Sequence, residues 1–209
     1  MKLGKIFIIA GPAGVGKDTI IKGILGKYPN FVMVPSYTTR PPRVSNEVGN
    51  RIFVTEKEFK DMIKAGEMIE WQRVHDKWYY GRKTSDIVRH TNVGQNVIMD
   101  VNVDGTLEYK RKLTQNFRVG KTQIDANDLL PKTDVTTFFI KYEKTELFEK
   151  RLKTNRQEIT KEELQTRKES FIREMTFEKY YDHSIINYEG HPEKAIDQIL
   201  DIIANQTQI

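Results

Sequence analysis

Gly11-Pro12-Ala13-Gly14-Val15-Gly16-Lys17-Asp18-Thr19 follows the apolar run Lys5-Ile6-Phe7-Ile8-Ile9-Ala10 and precedes the amphipathic segment Ile20-Ile21…Ile24-Leu25. Strand, glycine-rich turn and helix, in that order, make the setting of a phosphate-binding loop. The glycines let the backbone wrap inward, so that its N–H groups point at phosphate oxygens. The N-terminus of the following helix adds partial positive charge at the same place. Lys17 then supplies a mobile full charge for the outer phosphates of a nucleoside triphosphate. Where such loops usually carry Ser or Thr directly after the lysine, this one has Asp18, and Thr19 comes one residue later.

Outward from the loop, short apolar runs alternate with helical patterns. Strands are expected at 5–10, 31–34, 97–101, 136–141 and 184–187, and helices at 18–27, 56–65, 84–91, 145–154, 161–180 and 192–205. This alternation predicts an α/β fold with a mainly parallel sheet. Thr55-x-x-Glu58 and Thr160-x-x-Glu163 read as capping boxes, and Pro192 stands where a first helical residue belongs. Ala195, Ile196, Ile199, Leu200, Ile202 and Ile203 form one apolar helix face, which is ordinary core packing.

Residues 37–83, rich in Pro, Gly, aromatic and charged groups, read as an inserted lobe with short strands, and the polar stretch 154–168 as a mobile lid. Segment 114–135 lacks periodicity and reads as a surface excursion. The expected organisation is one domain over 1–209: a core of 1–36, 84–153 and 169–209, the lobe 37–83 and the lid 154–168.

The chain has 209 residues, a formal net charge of +5 and no cysteine. That length suits a single sizeable core. Without cysteine there are no disulfides and no thiolate metal sites. The 34 basic residues are scattered among 29 acids rather than gathered in a tail. A solvated surface accounts for most of them, and the basic balance suits a polyphosphate ligand as well as it suits nucleic acid. No run reaches the length of a membrane span. The sequence opens directly into a strand, so neither leader nor transit segment is expected, and the cytoplasm is the expected compartment.

Four further constellations carry chemistry. In Ser36-Tyr37-Thr38-Thr39-Arg40-Pro41-Pro42-Arg43, two arginines three apart on a proline-stiffened segment can converge on one anion. A solvated basic loop is the plainer alternative. In Met68-Ile69-Glu70-Trp71, an extended backbone puts Met68 and Glu70 on one face. The Glu70 carboxylate can accept from N1–H and the exocyclic amine of guanine, a pair of donors that adenine lacks. Nearby, Tyr80 in Trp78-Tyr79-Tyr80-Gly81 can donate to a phosphate. Taken singly, Glu70 also reads as an exposed strand acid, and Trp71, Trp78 and Tyr79 as packing. Asp100 ends the strand Val97-Ile98-Met99, where open α/β sheets place ligands; a helix cap is the alternative. Arg151, Arg156 and Arg167 lie on and beside the lid, where arginines can close over a triphosphate. His75, His90, His183 and His191 show no metal spacing and receive no role.

Together these residues resemble the guanylate kinase family, in that family's order, over about 5–205 apart from 114–135. The resemblance implies a nucleoside monophosphate kinase fold with a parallel core, a monophosphate-binding lobe and a lid. It implies that Gly11, Ala13, Gly14, Val15, Gly16, Lys17, Asp18 and Thr19 hold ATP, with Asn187 near the adenine. Asp18 and Thr19 would serve Mg²⁺, an ion that prefers oxygen ligands and keeps several waters. Ser36 and Glu70 would contact guanine with Asp100 close by, while Arg40, Arg43 and Tyr80 hold the GMP phosphate. Lys17, Arg151, Arg156 and Arg167 would stabilise charge during transfer. The acceptor oxygen is already anionic, so positioning and charge stabilisation suffice without a strong base.

The chain departs from the family at Asp18, at Arg51 in place of a second phosphate-binding tyrosine, at Asn46 or Glu47, at Arg82 in place of Ser or Thr, and at Asn102 in place of an acid. Gly-Lys-Asp-Thr also resembles ribose 1,5-bisphosphate phosphokinases and viral deoxynucleotide monophosphate kinases, so a sugar-phosphate kinase or a broader nucleotide kinase remains an alternative. A non-catalytic interaction module of the same fold is another, although the intact Gly14, Gly16 and Lys17 speak for catalysis. Small nucleotides are the expected partners, with neither nucleic acid nor membrane.

Overall fold

The computed structural model describes residues 2–42, 50–74, 76–114, 135–148, 150 and 160–207. Five strands form one sheet and four short strands another. In the first, β1 (Ile6–Ala10), β2 (Phe31–Met33), β7 (Asn96–Asp100), β8 (Val135–Tyr142) and β9 (His183–Asn187) lie in the order β2-β7-β1-β8-β9. Every residue of β1 is fully buried, as expected of a strand inside a sheet covered on both faces. The second sheet, in the order β4-β3-β6-β5, contains β3 (Ser36–Thr38), β4 (Arg51–Phe53), β5 (Met68–Val74) and β6 (Trp78–Lys83).

The chain divides into two compact units. The first comprises Met1–Phe7, Asn30–Met99 and Asp104–Val135. In it β2 runs parallel to β7, with Phe31 opposite Asn96, and the Phe31 ring lies 5.3 Å from that of Phe7. Helix α2 (Glu56–Lys64) starts at a complete capping box: Thr55 accepts from the Glu58 N–H, and Glu58 accepts from the Thr55 N–H. Its Phe59 is fully buried, 5.4 Å from the Tyr79 ring. Helix α3 (Thr84–Thr91) follows β6 directly, and α4 (Val103–Thr114) buries Tyr109 completely.

The second unit comprises Ile8–Pro29, Asp100–Val103 and Thr136–Ile209. Helix α1 (Lys17–Lys27) packs on α6 (Pro192–Thr207), which begins at the expected proline. Strands β8 and β9 pair in parallel, from Phe138 opposite His183 to Tyr142 opposite Asn187. That register brings the carboxyl ends of both strands level.

The five core strands lie where sequence periodicity puts them. One expected helix needs correction, and one helix was not expected. The expected helix 161–180 is α5 (Lys161–Met175), which stops at Thr176 and is followed by a separate 3₁₀ turn at Glu178–Tyr180. The Thr176 hydroxyl donates to the Arg173 carbonyl and closes the helix. Helix α4, by contrast, has no counterpart among the expected elements. The expected helix 145–154 is helical at 147–148 and 150, and its other residues from 149 on lie outside the described set, as does most of 114–135.

Candidate active site

The phosphate loop lies in the second unit, and side chains hold its carbonyl groups. Lys17 Nζ donates to the Gly11 carbonyl at 2.8 Å and to that of Pro12 at 3.2 Å. The Tyr142 hydroxyl donates to the Ala13 carbonyl at 2.9 Å, and Asn187 Nδ2 to that of Val15 at 2.6 Å. The Gly16 carbonyl accepts from Ile20 N–H, inside the first turn of α1. A loop whose carbonyls are taken up in this way turns its N–H groups to the other side, as an anion-binding nest requires. Gly16 caps α1 with φ of 100° and Gly14 has φ of 76°, left-handed values that glycine adopts without penalty.

Asp18 and Thr19 are exposed in the first turn of α1, and their oxygens suit a hydrated Mg²⁺. Asn187, at the carboxyl end of β9, is 3% exposed, and its Oδ1 is buried with no hydrogen-bond partner among the described residues. A buried acceptor without a donor is rare and calls for an explanation such as an absent ligand.

Tyr142 is a residue that sequence reasoning missed. Register alone brings it level with Asn187. Its ring lies 6.1 Å from both Phe148 and Phe171, which stack on each other at 4.3 Å. Tyr142→Phe keeps that packing and removes the bond to Ala13. It is expected to raise KM for ATP about 3- to 10-fold and to lower the melting temperature by only a few degrees, because one such bond contributes about 1 kcal/mol. Steady-state kinetics with a thermal melt decides; an unchanged KM means that the loop holds its shape without Tyr142.

The first unit holds Ser36, Arg40, Glu70 and Tyr80. Ser36 is 9% exposed, and its hydroxyl donates to the Asn50 carbonyl at 3.3 Å. Arg40, equally buried, donates from Nη1 to the Pro41 carbonyl at 2.8 Å and lies over the Phe53 ring. Tyr80 sits half-buried on β6, opposite Thr38 on one side and Gln72 on the other. Glu70 is buried, and with Trp71, Gln72, Asp104, Gly105 and Glu108 it lines a cavity of about 350 Å³.

The simple alternation expected for Met68–Trp71 is overturned, since a bulge between Met68 and Glu70 breaks the register and Met68, Ile69 and Glu70 are all buried. The bulge sets Glu70 opposite Arg82, whose Nη1 donates to Glu70 Oε1 at 3.2 Å. That partner was also missed, because pairing across strands cannot be read before the bulge is known. Beside them, burial and then the Glu70 charge push the Tyr109 phenol well above its ordinary range, and Arg82 opposes the shift.

Arg43, Arg151 and Arg156 lie outside the described residues. Arg167 is on α5, where Nη2 donates to Glu163 Oε1 at 3.1 Å one turn earlier. Thr160 accepts from the Glu163 N–H and so caps the same helix. Asp100, half-buried at the end of β7, belongs to the second unit. Among the described residues no group of three or more His, Cys, Asp or Glu could hold a metal, and no helix is long and apolar enough to cross a membrane.

Tyr37, next to Ser36, donates to Asp86 Oδ2 at 3.1 Å. Burial first, and then the Asp86 charge, push its phenol up to about 12. A folded-state value above the unfolded one means that the folded chain keeps the proton longer. The stabilisation is therefore complete below about pH 10, the ordinary tyrosine range, and is lost as pH rises towards 12. Tyrosinate absorbance during alkaline titration is expected to show a late phase that Tyr37→Phe reduces. An unchanged late phase in that variant removes the assignment.

Comparison with known proteins bears on the family and the fold. The guanylate kinase family model matches residues 3–119. The guanylate kinase of Thermotoga maritima is 43% identical over 110 residues, covering 52% of this chain and 53% of that protein. The guanylate kinase of Clostridium perfringens is 30% identical over 201 residues, covering 96% and 82%. The crystal structure of guanylate kinase from Anaplasma phagocytophilum superposes with a TM-score of 0.70 at 19% identity, over 99% of this chain and 87% of that one. With a loop built to cradle phosphate, an α/β core of the P-loop kinase type and a family match over more than half its length, the chain belongs to the guanylate kinase family.

Proposed function

We propose that this chain transfers the γ-phosphoryl group of Mg-ATP to the phosphate of a nucleoside monophosphate, with GMP and dGMP among its acceptors. One observation carries the reading: the carbonyls of Gly11, Pro12, Ala13 and Val15 are all held by side chains or by the loop itself, and Lys17 stands on the loop. Lys17 lies within reach of the outer phosphates of a nucleotide bound there. Asp18 and Thr19 would hold Mg²⁺ through oxygen or water, and the ion would neutralise phosphate charge. Asn187 Oδ1 would accept from the exocyclic amine of adenine. Arg40, Arg43 and Tyr80 would bind the acceptor phosphate, with Ser36 and Glu70 lining the region of the base. Residues 37–83 would form the acceptor lobe and 154–168 the lid, bringing Arg151, Arg156 and Arg167 to the triphosphate.

A coupled ADP-release assay tests this with GMP, dGMP, AMP, CMP, UMP, dTMP and ribose 1,5-bisphosphate as acceptors. Turnover of GMP supports the reading. Turnover of the sugar bisphosphate alone replaces it with a sugar-phosphate kinase. Silence on every acceptor, with no ATP binding by calorimetry, leaves an interaction module.

A further inference from the structure

Glu70 and Arg82 form a buried ion pair, with side chains 3% and 6% exposed. It is made by the bulge: continuing the Met68–Lys83 register would set Glu70 opposite Gly81, and the extra residue moves it opposite Arg82. The pair sits beside the fully buried Tyr109, whose hydroxyl lies 3.7 Å from Met99 Sδ. A charge buried this far holds on to a close opposite charge, because separating a buried ion pair is costly.

Resting on the function proposed above, we propose that Arg82 determines base selectivity: by holding Glu70 it withdraws the carboxylate from guanine, so that the chain accepts nucleoside monophosphates of several bases. A carboxylate selects guanine by taking two adjacent N–H donors at once. Here the Arg82 bond competes for the Oε1 lone pairs that those donors need. Guanine offers two neutral donors in exchange for a full guanidinium charge, and a buried carboxylate loses by that exchange. Selection then falls on the monophosphate group, which all these acceptors share.

The intact chain is assayed with Mg-ATP against GMP, AMP, UMP and dTMP, followed by R82S and R82K. Serine leaves room for water to solvate Glu70, whereas lysine preserves the charge. The wild-type kcat/KM for GMP is expected within about tenfold of that for AMP, and R82S to widen the ratio by about tenfold or more, through a lower KM for GMP. R82K should stay close to wild type. Strict GMP selectivity in the wild-type chain overturns the proposal and leaves the kinase reading standing. An R82S ratio that is unchanged or narrower also overturns it. Should R82S fail to fold, the wild-type ratio and R82K decide. Silence on all four acceptors removes the kinase reading, and this proposal with it.

Discussion

Lys17→Met is expected to lower kcat for phosphoryl transfer by about 10³-fold, while the fold survives. Methionine keeps the length and apolar stem of lysine and loses only the charge and donors. The side chain is half-buried, and its ammonium group bonds to two loop carbonyls, Gly11 and Pro12. If Lys17 meets the transferring phosphoryl group as proposed, removing its charge costs about 3–4 kcal/mol of transition-state stabilisation, the range measured for single preorganised donors in closed sites. The two charge-assisted bonds to carbonyls contribute about 1.5–3 kcal/mol each to stability, so the melting temperature should fall by roughly 10 °C. Two measurements separate the effects: steady-state ADP release for kcat, and a thermal melt for the fold. A variant with full kcat shows that Lys17 is a brace for the loop and nothing more.

How far the chain could be read in advance depends on what each element is made of. The five core strands were legible because a sheet buried on both faces leaves near-continuous apolar runs, such as Ile6-Phe7-Ile8-Ile9 and Phe138-Phe139-Ile140. Helix α4 escaped because Gly105 and Thr106 lower its propensity, although buried Val103, Thr106 and Tyr109 recur every third residue. The 161–180 pattern ran on past Met175 because neither Gly nor Pro marks the end; a side-chain bond from Thr176 closes the helix instead.

The site divides in the same way. The phosphate loop is local in sequence, so its glycines and Lys17 could be read directly. Tyr142 and Asn187 act on it across 129 and 172 residues, and only the β8–β9 register brings them together. Glu70 was legible as a carboxylate with a possible base to read. Its partner Arg82 depends on a one-residue bulge, and a single slip of register changes every facing pair.

Gly11→Ala is expected to disable the loop at its root and to destabilise the chain by about 3 kcal/mol or more. Gly11 has φ of 142°, which L side chains rarely adopt, and a Cβ there would stand 2.2 Å from the Ile140 carbonyl oxygen. Both partners in that clash are backbone, and Ile140 is locked in β8 opposite Ile185, so no side-chain rotation relieves it. The chain can escape only by moving β1 or the loop. Either movement displaces the Gly11 carbonyl that Lys17 holds. For a chain of this length a loss of that size lowers the melting temperature by about 10 °C. ATP affinity, measured by calorimetry below the melting transition, should fall about tenfold or more as the N–H groups of the loop lose their aim. Both effects must appear together, because one displacement causes them. A variant that melts early yet binds ATP normally would show that the strand end and the phosphate cradle are mechanically separate. A variant with wild-type stability would mean that the backbone at Gly11 is not held against Ile140.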